Sequence, residues 1–123
     1  MKTIAYIEDD ADMIDLVSII LEKHGYQVAG FTDSREILTG LESVRPELIL
    51  LDLMMPHVDG IEVYKEIKGR KGMDEIPIIV ISAMKRAVEE IERGGRLKVE
   101  ACLAKPFTIS ELVSTIQSVI GGA

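Results

Sequence analysis

Tryptophan is absent from these 123 residues, and three tyrosines and two phenylalanines make up the aromatic complement. The core must therefore be aliphatic, built from Ile, Leu, Val and Met. A single cysteine, Cys102, excludes an internal disulfide and fits a reducing compartment. No apolar run is long enough to cross a bilayer and no charged-then-apolar leader opens the chain, so no membrane contact and a cytoplasmic location are expected. Positive charge is in deficit: 14 Lys and Arg against 21 Asp and Glu give a net charge of -7. Binding along a phosphate backbone needs clustered cations. The one basic cluster, Lys68-Gly69-Arg70-Lys71, follows a helical pattern, whose C-terminal end favours cations in any case. Direct nucleic-acid binding is not expected. Linkers, repeats and low-complexity tracts are lacking too, so residues 1–123 read as one domain, able to bury roughly two-thirds of its unfolded surface.

What is present is a regular alternation of two hydrophobic periods. Residues 3–7 are short, apolar and β-branched and stop at Glu8-Asp9-Asp10, a buried strand ending in acid. Met13, Leu16, Val17, Ile20 and Leu21 then recur at helical spacing as far as His24-Gly25, with Gly where helices commonly end. A second strand covers 27–31. Asp33 with Glu36 opens a second helix in the manner of a capping pair, carrying Ile37, Leu38 and Leu41 to Val44 before Pro46. The apolar run 48–56 follows, with Asp52 inside it and Asp59-Gly60 closing it. Ile61, Val63, Tyr64 and Ile67 mark a third helix. Residues 77–81 form a strand buried on both faces, ending at Ser82-Ala83. Residues 84–93 read as a charged fourth helix with a thin stripe of Val88 and Ile91, stopped by Gly94-Gly95. The last strand, 99–104, meets Lys105-Pro106-Phe107. Thr108 and Glu111 have capping-box spacing, and Ile109, Leu112, Val113, Ile116, Val119 and Ile120 give the cleanest helical stripe in the chain.

Five strands alternating with five helices through short connections call for an α/β fold, a doubly wound parallel sheet with right-handed crossovers. Ligands of such sheets sit beyond the carboxyl ends of the strands. Glu8-Asp9, Asp52, Ser82 and Lys105 each stand at such an end, so one edge collects them all. Taken alone, Asp52 reads as a residue that leaves a strand and caps the next turn. Gathered with Glu8 and Asp9 it needs a positive neighbour, since adjacent carboxylates disfavour each other's ionisation. Lys105 supplies one charge. A hard divalent cation such as Mg²⁺, which takes carboxylate, carbonyl and water oxygens, supplies more and leaves positions open to phosphate oxygens. Asp52 is then a natural nucleophile for an aspartyl phosphate, with the cation, Lys105 and the Ser82 hydroxyl neutralising the transferred group.

In Ile7-Glu8-Asp9-Asp10, Leu51-Asp52-Leu53-Met54-Met55-Pro56 with Asp59-Gly60, Ile81-Ser82-Ala83 and Ala104-Lys105-Pro106-Phe107, the chain resembles the response-regulator receiver domains, the family of the chemotaxis regulator. The likeness spans essentially the whole length, with no effector domain. It implies a flavodoxin-like fold with strand order 2-1-3-4-5. It also implies that Asp52 is the phosphoacceptor and that Glu8, Asp9 and Asp52 hold Mg²⁺ with the Met54 backbone carbonyl. By the same likeness Ser82 is the switch hydroxyl, Lys105 contacts the phosphate, and the Lys105–Pro106 peptide is cis. The implied donor is a sensor histidine kinase or a histidine phosphotransfer protein. The fourth helix, last strand and last helix would meet an unnamed downstream protein. The protein would be a signalling switch that takes part in its own phosphorylation and dephosphorylation.

Two features depart from the family pattern. Cys102 stands three residues before Lys105, where the family usually has an aromatic, and Gly94-Gly95-Arg96-Leu97-Lys98 replaces the usual small-residue turn. The aromatic half of the switch therefore cannot work in the usual way. Met54 and Met84, two residues beyond Asp52 and Ser82, hold positions which in the family flank the phosphoryl group, and their apolar side chains are expected to slow an attacking water. His24 suits a helix C-terminus, and His57 falls in the loop after Asp52. Competing readings are a receiver-fold scaffold that binds proteins without a full phosphorylation switch, a phosphohydrolase working through an aspartyl phosphate, and a flavin module. The second lacks a partner acid, since Asp52-Leu53-Met54 replaces Asp-x-Asp. The third lacks a hydroxyl- and glycine-rich loop after the first strand.

Overall fold

A computed structural model describes residues 1–56, 58–94 and 97–122, with the side chains of Ser34, Lys85, Ile91 and Glu92 outside that description. The expectations for His57, for Ile91 in the fourth helix and for Gly95 as part of its stop lie outside it too.

The most apolar runs make the middle of the sheet. Strands β3 (Leu48–Asp52) and β6 (Ile78–Ser82) are buried at every residue, because helices cover both faces. With β1 (Thr3–Ile7), β2 (Gln27–Phe31) and β7 (Ala101–Ala104) they form a parallel five-stranded sheet in the order β2-β1-β3-β6-β7. That is the flavodoxin-like order, 2-1-3-4-5 among the five long strands. Alternate β1 side chains go to opposite faces. Ile4 and Tyr6 join Val17 and Leu21 of α1 (Ala11–Lys23) and Leu112 and Ile116 of α5 (Ile109–Ile120). Ala5 and Ile7 join Ile37 and Leu41 of α2 (Ser34–Val44) and Val63 and Ile67 of α3 (Gly60–Lys68). Helix α4 (Lys85–Glu92) leans on β6 and β7, with Val88 buried.

Several expected details are corrected. The last strand begins at Ala101 rather than at residue 99, because the Glu100 carboxylate takes the Ile78 N–H at 2.7 Å and ends the ladder there. Asp33 does cap α2, but its carboxylate accepts the Arg35 amide and guanidinium, so the reciprocal pair with Glu36 is not what the cap uses. Thr108 and Glu111 do form the full capping box at α5. The apolar stripes also run wider than the buried seams: Leu16, Ile61 and Ile109 lie at the margin and stay 55%, 40% and 56% exposed. Between β3 and α3, a two-residue antiparallel pair, β4 (Met54–Met55) with β5 (Val58–Asp59), was not legible, being too short to show a period.

Candidate functional site

The edge beyond the strand ends is assembled by register. Tyr6 pairs with Leu50 and Ile7 with Leu51, so the next step along both strands sets Glu8 alongside Asp52. Both are 2% exposed, while Asp9 faces solvent. One carboxylate oxygen from each of Glu8, Asp9 and Asp52 lies within 4.8 Å of the others. Lys105, one residue past β7, places Nζ 2.9 Å from Asp52 Oδ2 and 3.1 Å and 3.4 Å from the two Glu8 oxygens. Asp52 Oδ1 meanwhile accepts the Met54 N–H at 2.8 Å. The turn-capping role of Asp52 is therefore real, and it occupies only one of the two oxygens.

The loop after Asp52 is held close by its neighbours. Asp59 caps α3 by accepting the Ile61 N–H at 2.9 Å. A Cβ on Gly60 would stand 2.6 Å from Leu53 Cα and 3.0 Å from the Asp52 carbonyl oxygen. Glycine is what lets α3 start directly against the peptide that carries the acid. On the other side, Ser82 is fully buried at the end of β6, and its backbone carbonyl accepts the Lys105 N–H at 2.9 Å. Its hydroxyl accepts the Met84 N–H at 3.1 Å, closing its own turn. The Lys105–Pro106 peptide is cis, as the resemblance implied. Cys102 packs beside α4, its Sγ 3.9 Å from the Val88 carbonyl oxygen.

Crowding of acids sets the electrostatics. Burial pushes Glu8 up to about 8, aided by the hydrogen bond to Asp52 and its charge, with Lys105 only partly offsetting. Burial also pushes Asp52 up. There the hydrogen bonds from Glu8, the Met54 amide and Lys105, with the Lys105 charge, outweigh it and leave the carboxyl below its ordinary value. Burial works against the Lys105 ammonium, but Asp52 and Glu8 more than compensate and raise it. Burial and the neighbouring Asp52 thus favour the protonated form of Glu8, while the Met54 amide and Lys105 favour the ionised form of Asp52. The cluster offers only oxygen donors, one of them from exposed Asp9, a set suited to a hard cation such as Mg²⁺.

The family model described as "Response regulator receiver domain" matches residues 4–117. The chain belongs to that family. Receiver domains are signalling switches of two-component systems. This receiver is 33% identical to the polar-differentiation response regulator DivK of Brucella anthropi, over 99% of this chain and 98% of the relative. It is 31% identical to the alkaline phosphatase synthesis transcriptional regulatory protein PhoP of Bacillus subtilis, covering 97% of this chain but only 48% of that protein. Among solved structures, Vibrio cholerae CheY4 superposes with a TM-score of 0.86 at 27% identity, over 97% and 98% of the two chains. The receiver domain of a Pseudomonas aeruginosa sensor histidine kinase, solved with magnesium coordinated in its active site cleft, gives 0.82 at 27% identity, over 98% of each chain.

Glu8, Asp9, Asp52 and Lys105 thus come together as the strand ends required. Ser82 stands beside them with its hydroxyl turned into its own loop. Sequence reasoning passed over Tyr6, whose one signal was a hydroxyl in an apolar strand two residues before Glu8.

Proposed function

We propose that residues 1–123 act as one phospho-accepting receiver in which Asp52 takes a phosphoryl group from the phosphohistidine of a sensor histidine kinase or a phosphotransfer protein. The observation that carries this reading is the Asp52 carboxylate itself: buried, kept ionised, and 2.9 Å from the Lys105 ammonium at the open edge of the sheet. An Asp52 oxygen forms the new P–O bond as the donor's P–N bond breaks and its imidazole recovers a proton. Lys105 turns from the carboxylates to an equatorial phosphoryl oxygen, and the Ser82 hydroxyl leaves the Met84 amide to donate to another. Glu8, Asp9, Asp52 and the Met54 carbonyl would hold Mg²⁺, which when bound neutralises the charge of the transferred group. The same edge admits the water that later hydrolyses the aspartyl phosphate, so the chain contributes to its own dephosphorylation.

Phosphorylation shifts a population only if the active arrangement gains more from the new charge than the resting one does. Ser82 and Lys105, tied by backbone at the ends of β6 and β7, are the groups whose rearrangement supplies that difference. The surface they adjoin is α4, β7 and α5, where the downstream protein would bind. The expected setting is the cytoplasm, and among the described residues no helix is long and apolar enough to cross a membrane. Asp52→Asn tests the assignment: Mg²⁺-dependent labelling by acetyl phosphate or a cognate kinase is expected to vanish. Acid-stable labelling that persists in the variant would overturn it.

A further inference from the structure

Tyr6 is fully buried, and its hydroxyl is, among the described residues, the buried side-chain polar atom without a hydrogen-bond partner. The two other tyrosines make the contrast plain. Tyr26 donates to the Gly121 carbonyl at 2.7 Å, and Tyr64 donates to the Lys98 carbonyl at 2.9 Å. An orphan hydroxyl in a core is unfavourable, and phenylalanine would fill the same space without it. Tyr6 and Glu8, the latter one residue past the end of β1, lie two residues apart and so on one side of the sheet, about 6.6 Å along the strand at the usual rise. Leu50 of β3 pairs with Tyr6, and Asp52 follows two residues on.

In the resting site the two Glu8 oxygens are engaged by Lys105, at 3.1 Å and 3.4 Å, and the same ammonium lies 2.9 Å from Asp52. A phosphoryl group on Asp52 draws Lys105 away from Glu8. A buried carboxylate is then short of donors, beside a donor short of an acceptor. We propose that Tyr6 is a positioning residue of this site, its hydroxyl donating to the Glu8 carboxylate in the loaded state and fixing that carboxylate toward the cation. The inference rests on the phospho-accepting reading above. Partners of this kind, one shell out from a metal ligand, commonly govern affinity through ligand orientation.

Tyr6→Phe is the test, read by calorimetric titration with Mg²⁺. The Kd is expected to rise about tenfold, while the melting temperature without Mg²⁺ stays level or rises because the orphan hydroxyl is gone. An unchanged Kd overturns the proposal. Should the variant fail to fold, tyrosine ¹³Cζ resonances of the parent protein decide: with Mg²⁺ and beryllium fluoride the Tyr6 signal should move and the Tyr26 signal stay, and a fixed Tyr6 signal overturns the proposal. A parent protein that takes up neither Mg²⁺ nor a phosphoryl group overturns both readings. One that takes up both while Tyr6→Phe matches it overturns the Tyr6 role alone.

Discussion

Lys105 serves two buried carboxylates at once, and this sharing lets three acids stand at one edge before any cation arrives. Glu8, Asp9, Asp52 and Lys105 were legible in the sequence because a parallel sheet sends every strand end to the same side. Whatever chemistry follows a strand must gather there. The rotamers were not legible: no pattern says that Ser82 bonds the Met84 amide or that the Tyr6 hydroxyl is left over. Met54 and Met84 are 49% and 47% exposed, at the rim beside the acid and the serine. They give an attacking water no polar group to orient it. Met84→Glu, which adds such a group, is expected to shorten the lifetime of the phosphorylated protein by about tenfold, below the 10²–10⁴-fold range of a well-placed general base because the position is half exposed. Equal rates of label loss from parent and variant would refute this.

At the scale of elements, helices and strands were read well where a period ran for two turns or five residues. They were misread where a side chain replaced a backbone partner, as Glu100 does at the start of β7. The margins of the helices were the other difficulty, since a stripe does not say where the sheet beneath it stops. Those margins carry a consequence for partner choice. Leu16 and Ile20 of α1, with Pro106, Phe107 and Ile109, line an apolar depression that reaches Lys105. On the proposed reading, a phosphohistidine-bearing protein would sit against this edge to reach Asp52, and this depression would offer it apolar ground. Leu16→Asp places a charge at a position already 55% exposed, so folding should be little affected. Phosphotransfer from a cognate kinase is expected to slow by roughly tenfold, the equivalent of about 1.4 kcal/mol of lost docking. Labelling by acetyl phosphate should be unchanged. If both donors slow equally, the depression is not a docking surface.

For the whole molecule, the acidic edge ties stability to pH and to the cation. Glu8 titrates near 4.5 in an unfolded chain and is held up to about 8 in the folded one. Below the lower value both states carry the proton. Through the interval between them the folded state binds more protons than the unfolded, so stability falls as pH rises and the Glu8 contribution is gone above about 8. Asp52 runs the other way: its carboxyl is lowered on folding, and its contribution is lost as pH falls below the ordinary carboxylate range. The cation-free protein should therefore be most stable in mild acid, where Glu8 is protonated and Asp52 is not, and a net charge of -7 adds repulsion as pH rises. On the proposed reading Mg²⁺ takes the ionised form of Glu8, so its affinity should climb over the same interval. At tenfold excess over Kd the cation contributes about 1.4 kcal/mol, several degrees of melting temperature for a chain of this size. Melting with and without Mg²⁺ at pH 5.5 and 8.5, at one fixed Mg²⁺ concentration, should show a gap that is small at the lower pH and wide at the higher. Glu8→Gln, which cannot titrate, should lose most of that widening, and a gap of equal size at both pH values in the parent protein would mean that Glu8 does not exchange its proton for the cation.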